Sequence, residues 1–503
     1  MASHNCHCLQ PSGCLPWPLD ALLNLSVILI WPSLAALSGL VSLCLPTTVE
    51  KNDPFKLLFK KLTLGPLYVG IFLLALPAAL LAMPLRILLS LMKKPFQYSV
   101  VKKAHTQSEE EFMIKSLSDY RLGEHQFGIA SGNICLLPEF LARYNNLSHS
   151  GQRARSIGER IVIDQFFYGG VPKSILGLPA NGVKKNDVRS SRKEIQRFVG
   201  GLAAHFPRLD FLCLQEVFDW NYNKVLREEL HKVFPYILHD VGVMSLSSNY
   251  FMINSGLMFA SRHPVLNADF KFYKHSISQC VFTSKGLLTV KVLIGKDTDS
   301  KRQVGYIFST HLQAYQGTQP VIARQLDDIL EWSAEFRKQT ADSRDVVLFD
   351  IICGDLNFDN LSPGDKLSRD HGIFDHYHDP CRVRPGEDQP WVVGTEFKQI
   401  FMHETTATSP DSLKASLADP VLRHRHLTDA DIVEQTMDSL VHVKLRTDHH
   451  GNVVTFPEAG MRRIDYILSR KDTPVDITRF QFVTRLASLT DHIPVAMTFK
   501  AKV

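Results

Sequence analysis

The chain has 503 residues, 45% of them hydrophobic and 21% charged, with a formal net charge of +5. That is enough apolar material for one large domain of roughly 350 residues plus an accessory segment, and it excludes a chain disordered as a whole. The charge is unevenly placed: residues 1–103 carry nine Lys/Arg against three Asp/Glu, whereas residues 104–503 carry 47 against 48. A basic excess confined to an apolar N-terminal region points to membrane lipid as partner and away from nucleic acid.

Residues 21–49 hold no charged side chain, and neither do residues 62–85, between Lys61 and Arg86. As a helix the second stretch would reach ~36 Å, enough to cross a hydrocarbon core of about 30 Å. Pro32, Pro46, Pro66, Pro77 and Pro84 interrupt or bound the two stretches. Basic residues flank the second on both sides: Lys56, Lys60 and Lys61 before it, Arg86, Lys93, Lys94, Lys102 and Lys103 after it. A single span would put those flanks on opposite bilayer faces. The expectation is therefore two shallow or re-entrant membrane segments, about 21–49 and 62–92, within an N-terminal region 1–101. The first charge is acidic Asp20, with no basic run before it, so a cleaved signal peptide is not expected.

A polar linker, 102–124, leads into the main domain, 125–503. Phe127–Leu137 reads as a strand, Gln152–Ile163 and Ser190–His205 as helices separated by a loop at 169–187, Asp210–Leu214 as a buried strand and Asn221–Val233 as a helix. Strands follow near 254–261, 265–273, 286–294 and 303–311, then a helix at 320–338 and a strand at 345–353. The stretch 361–457 is irregular, and strands near 462–469, 477–484 and 493–499 close the chain. Many of these strands are joined too tightly for parallel crossovers, which predicts antiparallel or mixed sheets packed between helices. Nine cysteines is an odd count, and Cys135, Cys213 and Cys353 sit in apolar runs. They read as reduced core thiols of a cytosol-facing domain rather than a disulfide framework.

Five polar clusters stand at the ends of apolar strands. Glu216 follows Leu212–Leu214 directly, and an ionised carboxylate emerging from an apolar run needs a partner, either an arginine or a hard divalent cation such as Mg2+. Asn133, in the first strand, offers a carbonyl ligand or an ordinary backbone contact. His311 in Ser309–Leu312 either caps the core or hydrogen-bonds an anionic oxygen. In Gly354–Asn360, Asp355 and Asn357 are two apart at a strand end, where they form an Asx turn or address a water and a phosphate oxygen together. Asp465, in Arg462–Leu468, is placed to pair with a nearby Arg or His and so orient other groups. Asp491 and His492 form the fifth cluster: histidine accepts a proton near neutral pH, and an adjacent carboxylate orients or charge-balances it.

The order LQE, THL, GDxN, RIDY, DH, on these residues, resembles the DNase I-like phosphohydrolases. The two apolar N-terminal segments, with Asn133–Pro138, Asn254–Leu257, Ser284–Gly286 and Ile351–Asn360, resemble the membrane-bound neutral sphingomyelinases over nearly the whole chain. The P-x-W-C-D-R signature of the inositol-polyphosphate phosphatases is absent where the chain reads Met461–Asp465, and no basic track suits a nuclease.

The resemblance implies an α/β (α+β) four-layer sandwich, two mixed or antiparallel sheets flanked by helices, and Mg2+-dependent hydrolysis of sphingomyelin to ceramide and phosphocholine, with Mn2+ as a substitute ion. By it Glu216, helped by Asn133, is the metal ligand; His492 is the general base; Asp491 orients or charge-balances it; Asp355 positions the nucleophile; and Asn357, His311 and Lys285 meet phosphate or headgroup oxygens. The family often carries an Asp five residues before the lysine of its S-K-G motif, where this chain has Cys280 before Lys285, so an Asp–Lys switch of that form is in doubt. Anionic phospholipid is the expected activator, on a membrane whose organelle the sequence leaves open. A phospholipase C acting on phosphatidylcholine or lysolipids, and an inactive membrane scaffold, stay as alternatives.

Overall fold

Alternation along the central strands settles which layers they join. In Gln126–Leu136, Phe127 and Ile129 enter one apolar cluster while Ala130 and Ile134 enter another; Phe211 and Cys213 of Phe211–Val217 join the first, Leu212 and Leu214 the second. A strand buried on both faces must be covered on both, and the computed structural model provides the two covers. It describes residues 8–13, 15–101, 126–168, 198–245, 253–297, 299, 301–436 and 445–502. The expected linker and the loop 169–187 lie outside the described residues.

An eight-stranded sheet runs in the order Gln97–Val100, Tyr236–His239, Met258–Ser261, Phe211–Val217, Gln126–Leu136, Val495–Ala501, Val475–Val483, Val199–Ala203. A six-stranded sheet runs Tyr377–His378, Asp465–Arg470, Asp345–Asp355, Arg302–His311, Gly286–Lys296, Val265–Phe272. Both mix parallel and antiparallel pairs. Between them lies a core in which the Phe349 ring stands 5.3 Å from both Phe127 and Phe499. Helices Ser150–Tyr168 and Trp220–Leu230 cover the outer face of the larger sheet through Ala154, Ile157, Leu226 and Leu230. Helix Val321–Thr340 covers the smaller through Ile322, Leu326 and Phe336. The result is the DNase I-like four-layer sandwich.

Two expectations change. Residues 199–203, expected in a helix, form a strand parallel to Val475–Val483. Val199-Gly200-Gly201 has weak helix propensity, and pairing with an open sheet edge outweighs the flanking helical pattern. Gln97–Val100, assigned to the N-terminal region, pairs antiparallel with Tyr236–His239 and so belongs to the large sheet.

The apolar stretches form two helices, Leu19–Ser42 and Pro54–Met92. The prolines expected to interrupt them do not: Pro32, Pro66, Pro77 and Pro84 lie inside continuous helix. Each removes one intrahelical hydrogen bond, a local cost that long helices packed on each other absorb. The helices are antiparallel, with Gly39 against Tyr68, Ile30 with Ala79 and Ala82, and Leu23 with Leu89. Both ends of this hairpin are fastened to the sandwich. At one end Ser12 and Tyr98 exchange backbone hydrogen bonds of 3.0 and 3.1 Å, and Leu9 N donates to Val265 O at 2.9 Å. At the other, Arg143 pairs with Glu50 at 2.5 Å and donates to Leu45 O at 3.1 Å, while Thr48 N donates to Asn146 Oδ1 at 2.8 Å. A helix of ~36 Å held at both ends by one body lies along that body.

Candidate active site

The strand ends that the sequence marks meet at one end of the sandwich. Asn133 is in register with Gln215, the residue before Glu216, on parallel neighbours of the large sheet. Asp355 is in register with His311 on one side and Asp465 on the other in the small sheet. Gly354 takes φ +150°, and a Cβ there would stand 1.9 Å from Thr310 O. Only glycine lets the two strands come that close just before Asp355.

Contacts then cross between the sheets. Asn133 Nδ2 donates to Asp355 Oδ2 at 3.1 Å, and that oxygen lies 3.4 Å from His311 Nε2. Lys285 Nζ donates to His311 Nε2 at 2.8 Å and to Leu312 O at 2.7 Å. A lysine can only donate, so Nε2 is the acceptor and Nδ1 carries the proton; Nδ1 is buried and without a hydrogen-bond partner. Asn357 N donates to Asp355 Oδ1 at 3.0 Å, and its side-chain amide donates to Leu312 O at 3.1 Å. His492 Nδ1 donates to Asp465 Oδ2 at 2.9 Å. The orienting hydrogen bond therefore falls to Asp465, and Asp491 reaches His492 by charge alone.

The electrostatics follow from burial. Desolvation raises the Glu216 carboxyl, and the Asp491 charge raises it further. Burial likewise pushes Asp355 up to about 7 against the pull of His492 and Lys285. His311 is held well below the usual imidazole range by burial, Lys285 and His492, so it is neutral. His492 is held well above it: burial opposes the charge, but Asp465, Asp355 and Asp491 outweigh burial. Glu216 and Asn357 have φ of 62° and 55°, a region that costs a non-glycine residue on the order of 1–3 kcal/mol and clusters at functional sites.

Among the described residues no three His, Cys, Asp or Glu side chains converge as a metal cage. Glu216 Oε2 is nevertheless buried with no hydrogen-bond partner. An orphaned carboxylate oxygen beside an amide suits a hard cation that takes one or two protein oxygens and keeps its waters, which is the habit of Mg2+. The donor set fits that ion.

Several residues of the site escape the sequence reading. Thr395 Oγ1 accepts from Ile464 N and Asp465 N at 2.9 and 3.2 Å, and its carbonyl accepts from Ile493 N at 2.7 Å, so it ties Asp465 to the His492 segment. Thr490 Oγ1 donates to Asn133 O at 2.8 Å. Glu396 forms a backbone bridge with His492 and accepts from Arg462 Nε at 2.8 Å. Arg462 is sealed in and also donates to Asp359 at 2.9 Å and Asp365 at 3.2 Å. Thr395 and Glu396 lie in an aperiodic stretch and carry no local signal, whereas Thr490 and Arg462 adjoin recognisable clusters.

Residues 180–492 match the Endonuclease/Exonuclease/phosphatase family. The chain is 30% identical to sphingomyelin phosphodiesterase 5 of Danio rerio, covering 95% of this chain and 96% of that one, and 31% identical to its Mus musculus counterpart over 98% and 94%. It is 38% identical to human sphingomyelin phosphodiesterase 3 over 63% of this chain and 48% of that one. Among solved structures, sphingomyelinase C from Streptomyces griseocarneus is 14% identical, with a TM-score of 0.42, over 75% of this chain and 99% of that one. By the family match and the two full-length relatives, the chain belongs to the neutral sphingomyelinase family, the sphingomyelin phosphodiesterases of the endonuclease/exonuclease/phosphatase superfamily, and is a phosphodiester hydrolase.

Proposed function

We propose that the protein hydrolyses membrane sphingomyelin to ceramide and phosphocholine by attack of a water on phosphorus, with Mg2+ held by Glu216 and Asn133. The observation that carries this reading is the convergence of Asn133, His311, Asp355 and His492 beside the unpartnered oxygen of Glu216. When bound, the ion supplies positive charge to the phosphoryl oxygens and the departing alkoxide, a contribution of several kcal/mol.

The chain's own groups do the rest. His492 donates its Nδ1–H to Asp465, which leaves Nε2 of the neutral imidazole as the acceptor for a water proton; a cation on Glu216 would offset the carboxylate charges that favour the imidazolium, and a positioned base of this kind contributes about 10²–10⁴-fold. Asp491 adds negative charge that favours the imidazolium formed. Asp355, fixed by Asn133 and the Asn357 amide, positions the water. His311 Nδ1–H and Lys285 meet phosphoryl oxygens, as does Asn357. In this reading Cys280, buried in Ser278–Phe282, has no part, and the Lys285 contact to His311 stands where an acidic partner would.

Delivery belongs to the hairpin. Tied to the sandwich at both ends, it rests its exposed leucines in one leaflet with the sandwich on the cytosolic side, and the neighbouring lysines favour anionic lipid by about 1 kcal/mol each. Nucleic acid is not a partner. The test is phosphocholine release by the full-length protein from sphingomyelin vesicles and from phosphatidylcholine vesicles, each with and without phosphatidylserine. Release with Mg2+ that stops on chelation and resumes on re-addition is the expected result. Release only from phosphatidylcholine, or none from either, defeats the reading.

A further inference from the structure

Arg153 is a buried cation that no step of the reaction uses. It stands on helix Ser150–Tyr168, is 5% exposed, and forms no ion pair among the described residues. A buried charge without a counter-charge is costly unless hydrogen bonds satisfy it. Here they come from backbone carbonyls of two distant segments. Nη2 donates to Cys135 O at 2.7 Å and to Ser150 Oγ at 3.3 Å, while Nη1 donates to Leu489 O at 2.7 Å and to Ile134 O at 3.4 Å. One guanidinium thus joins the strand end that carries Asn133 to the run that carries Asp491 and His492.

Both segments are bent where Arg153 holds them. Cys135 has φ 47° and Ser488 has φ 61°, left-handed conformations that a non-glycine residue keeps only when its surroundings impose them. The bend at Cys135 returns its N–H to Asn133 Oδ1 at 3.1 Å, which fixes the amide that reaches Asp355. Just past Ser488, Thr490 Oγ1 donates to Asn133 O at 2.8 Å. Arg160, two turns further along the same helix face, donates to Arg485 O at 3.0 Å and Ala487 O at 3.2 Å. The two arginines therefore take the carbonyls of 485, 487 and 489 in succession on the approach to His492. Arginine suits this task because its planar fork reaches two carbonyls on different segments at once, whereas a lysine offers a single nitrogen. We propose that Arg153 is a positioning residue for hydrolysis: through its guanidinium, helix Ser150–Tyr168 sets the Asn133 bend against the Asp491–His492 run, with Arg160 steadying the approach. This rests on the hydrolase reading above.

The test compares the full-length protein with Arg153→Lys, Arg153→Met and Arg160→Lys. Turnover with Mg2+ is measured on a water-soluble phosphodiester, corrected for the folded fraction from urea unfolding, and hydrogen exchange is followed without substrate or metal. Arg153→Lys keeps the charge and the aliphatic stem, yet should lower kcat about 10–10²-fold with KM within about twofold, because a misplacement of about 1 Å costs that much. Arg153→Met should lose at least as much, and Arg160→Lys about threefold. Exchange at 134–137 and 487–493 should quicken together about tenfold in Arg153→Lys, with 154–166 unchanged. Wild-type kcat and exchange in Arg153→Lys overturn the inference, and so does a loss of activity that the folded fraction accounts for, which is what a merely structural role predicts. If Arg153→Met does not fold, Arg153→Lys decides. Coupled quickening of both segments in a protein whose wild type cleaves no phosphodiester defeats the hydrolase reading and leaves the clamp standing. An active wild type indifferent to Arg153→Lys defeats this inference alone.

Discussion

The sandwich and the hairpin are built on opposite plans. In the sandwich Phe127, Phe211, Phe349 and Phe499 are sealed between sheets, and charged groups gather at one end around Asp355 and His492. In the hairpin Leu74 is 85% exposed and Leu81 is 83% exposed, and the polar residues serve as fastenings at Glu50 and Thr48. Water alone drives the first arrangement. The second leaves apolar area that only another apolar phase covers, at roughly 25 cal/mol per Å2. The difference teaches that, on the proposed reading, chemistry and delivery occupy separate parts of the chain, so that each should be open to removal without the other.

The sharpest break is at the base. His492→Ala should cost about 10²–10⁴-fold in kcat on vesicles and on a water-soluble phosphodiester alike, with membrane binding unchanged in flotation assays. Equal activity would remove His492 from the mechanism. Next, Arg462→Met leaves Asp359, Asp365 and Glu396 without their shared cation; the expected loss is about 3–5 kcal/mol in urea unfolding, the penalty for breaking a buried pair. A stability close to wild type would mean that the cluster is relieved by protonation, a route that Asp365 prefigures, since burial pushes its carboxyl up to about 7.

The hairpin responds in the other direction. Leu74→Asp with Leu81→Asp should weaken vesicle binding about 10²-fold or more and leave turnover of the water-soluble phosphodiester unaltered, because each lost leucine contact is worth about 1.5–3 kcal/mol. Parallel losses on both substrates would show that the two regions do not separate.

The smallest effect concerns the fastening. Burial works against ionisation of Glu50, but Arg143, Lys60 and the Thr47 amide more than offset it and hold its carboxyl down to about 2 from 4.5. A depressed carboxyl adds stability above its ordinary range and loses it as pH falls toward the folded value. Hydrogen exchange around 43–53 should therefore quicken as pH drops from about 4.5 to about 2, beyond the intrinsic pH trend, and Glu50→Gln should abolish that dependence.

What could be read in the chain alone was whatever local pattern encodes. Asn133, Glu216, His311, Asp355, Asn357, Asp465 and His492 each stand in or just beyond an apolar run, so their order was legible, and the short joints between many of those runs announced antiparallel or mixed sheets packed between helices. Pairing across distance was not encoded that way. The strand at 199–203 exists because Val475–Val483 offers it an edge, and His492 is oriented by Asp465 rather than by its neighbour Asp491 because two sheets bring Oδ2 to 2.9 Å. Thr395 and Glu396 sit in loops, where no period marks a residue and position is set by what packs around it. Strand ends carry their chemistry in sequence; loops acquire theirs only when tertiary packing places them.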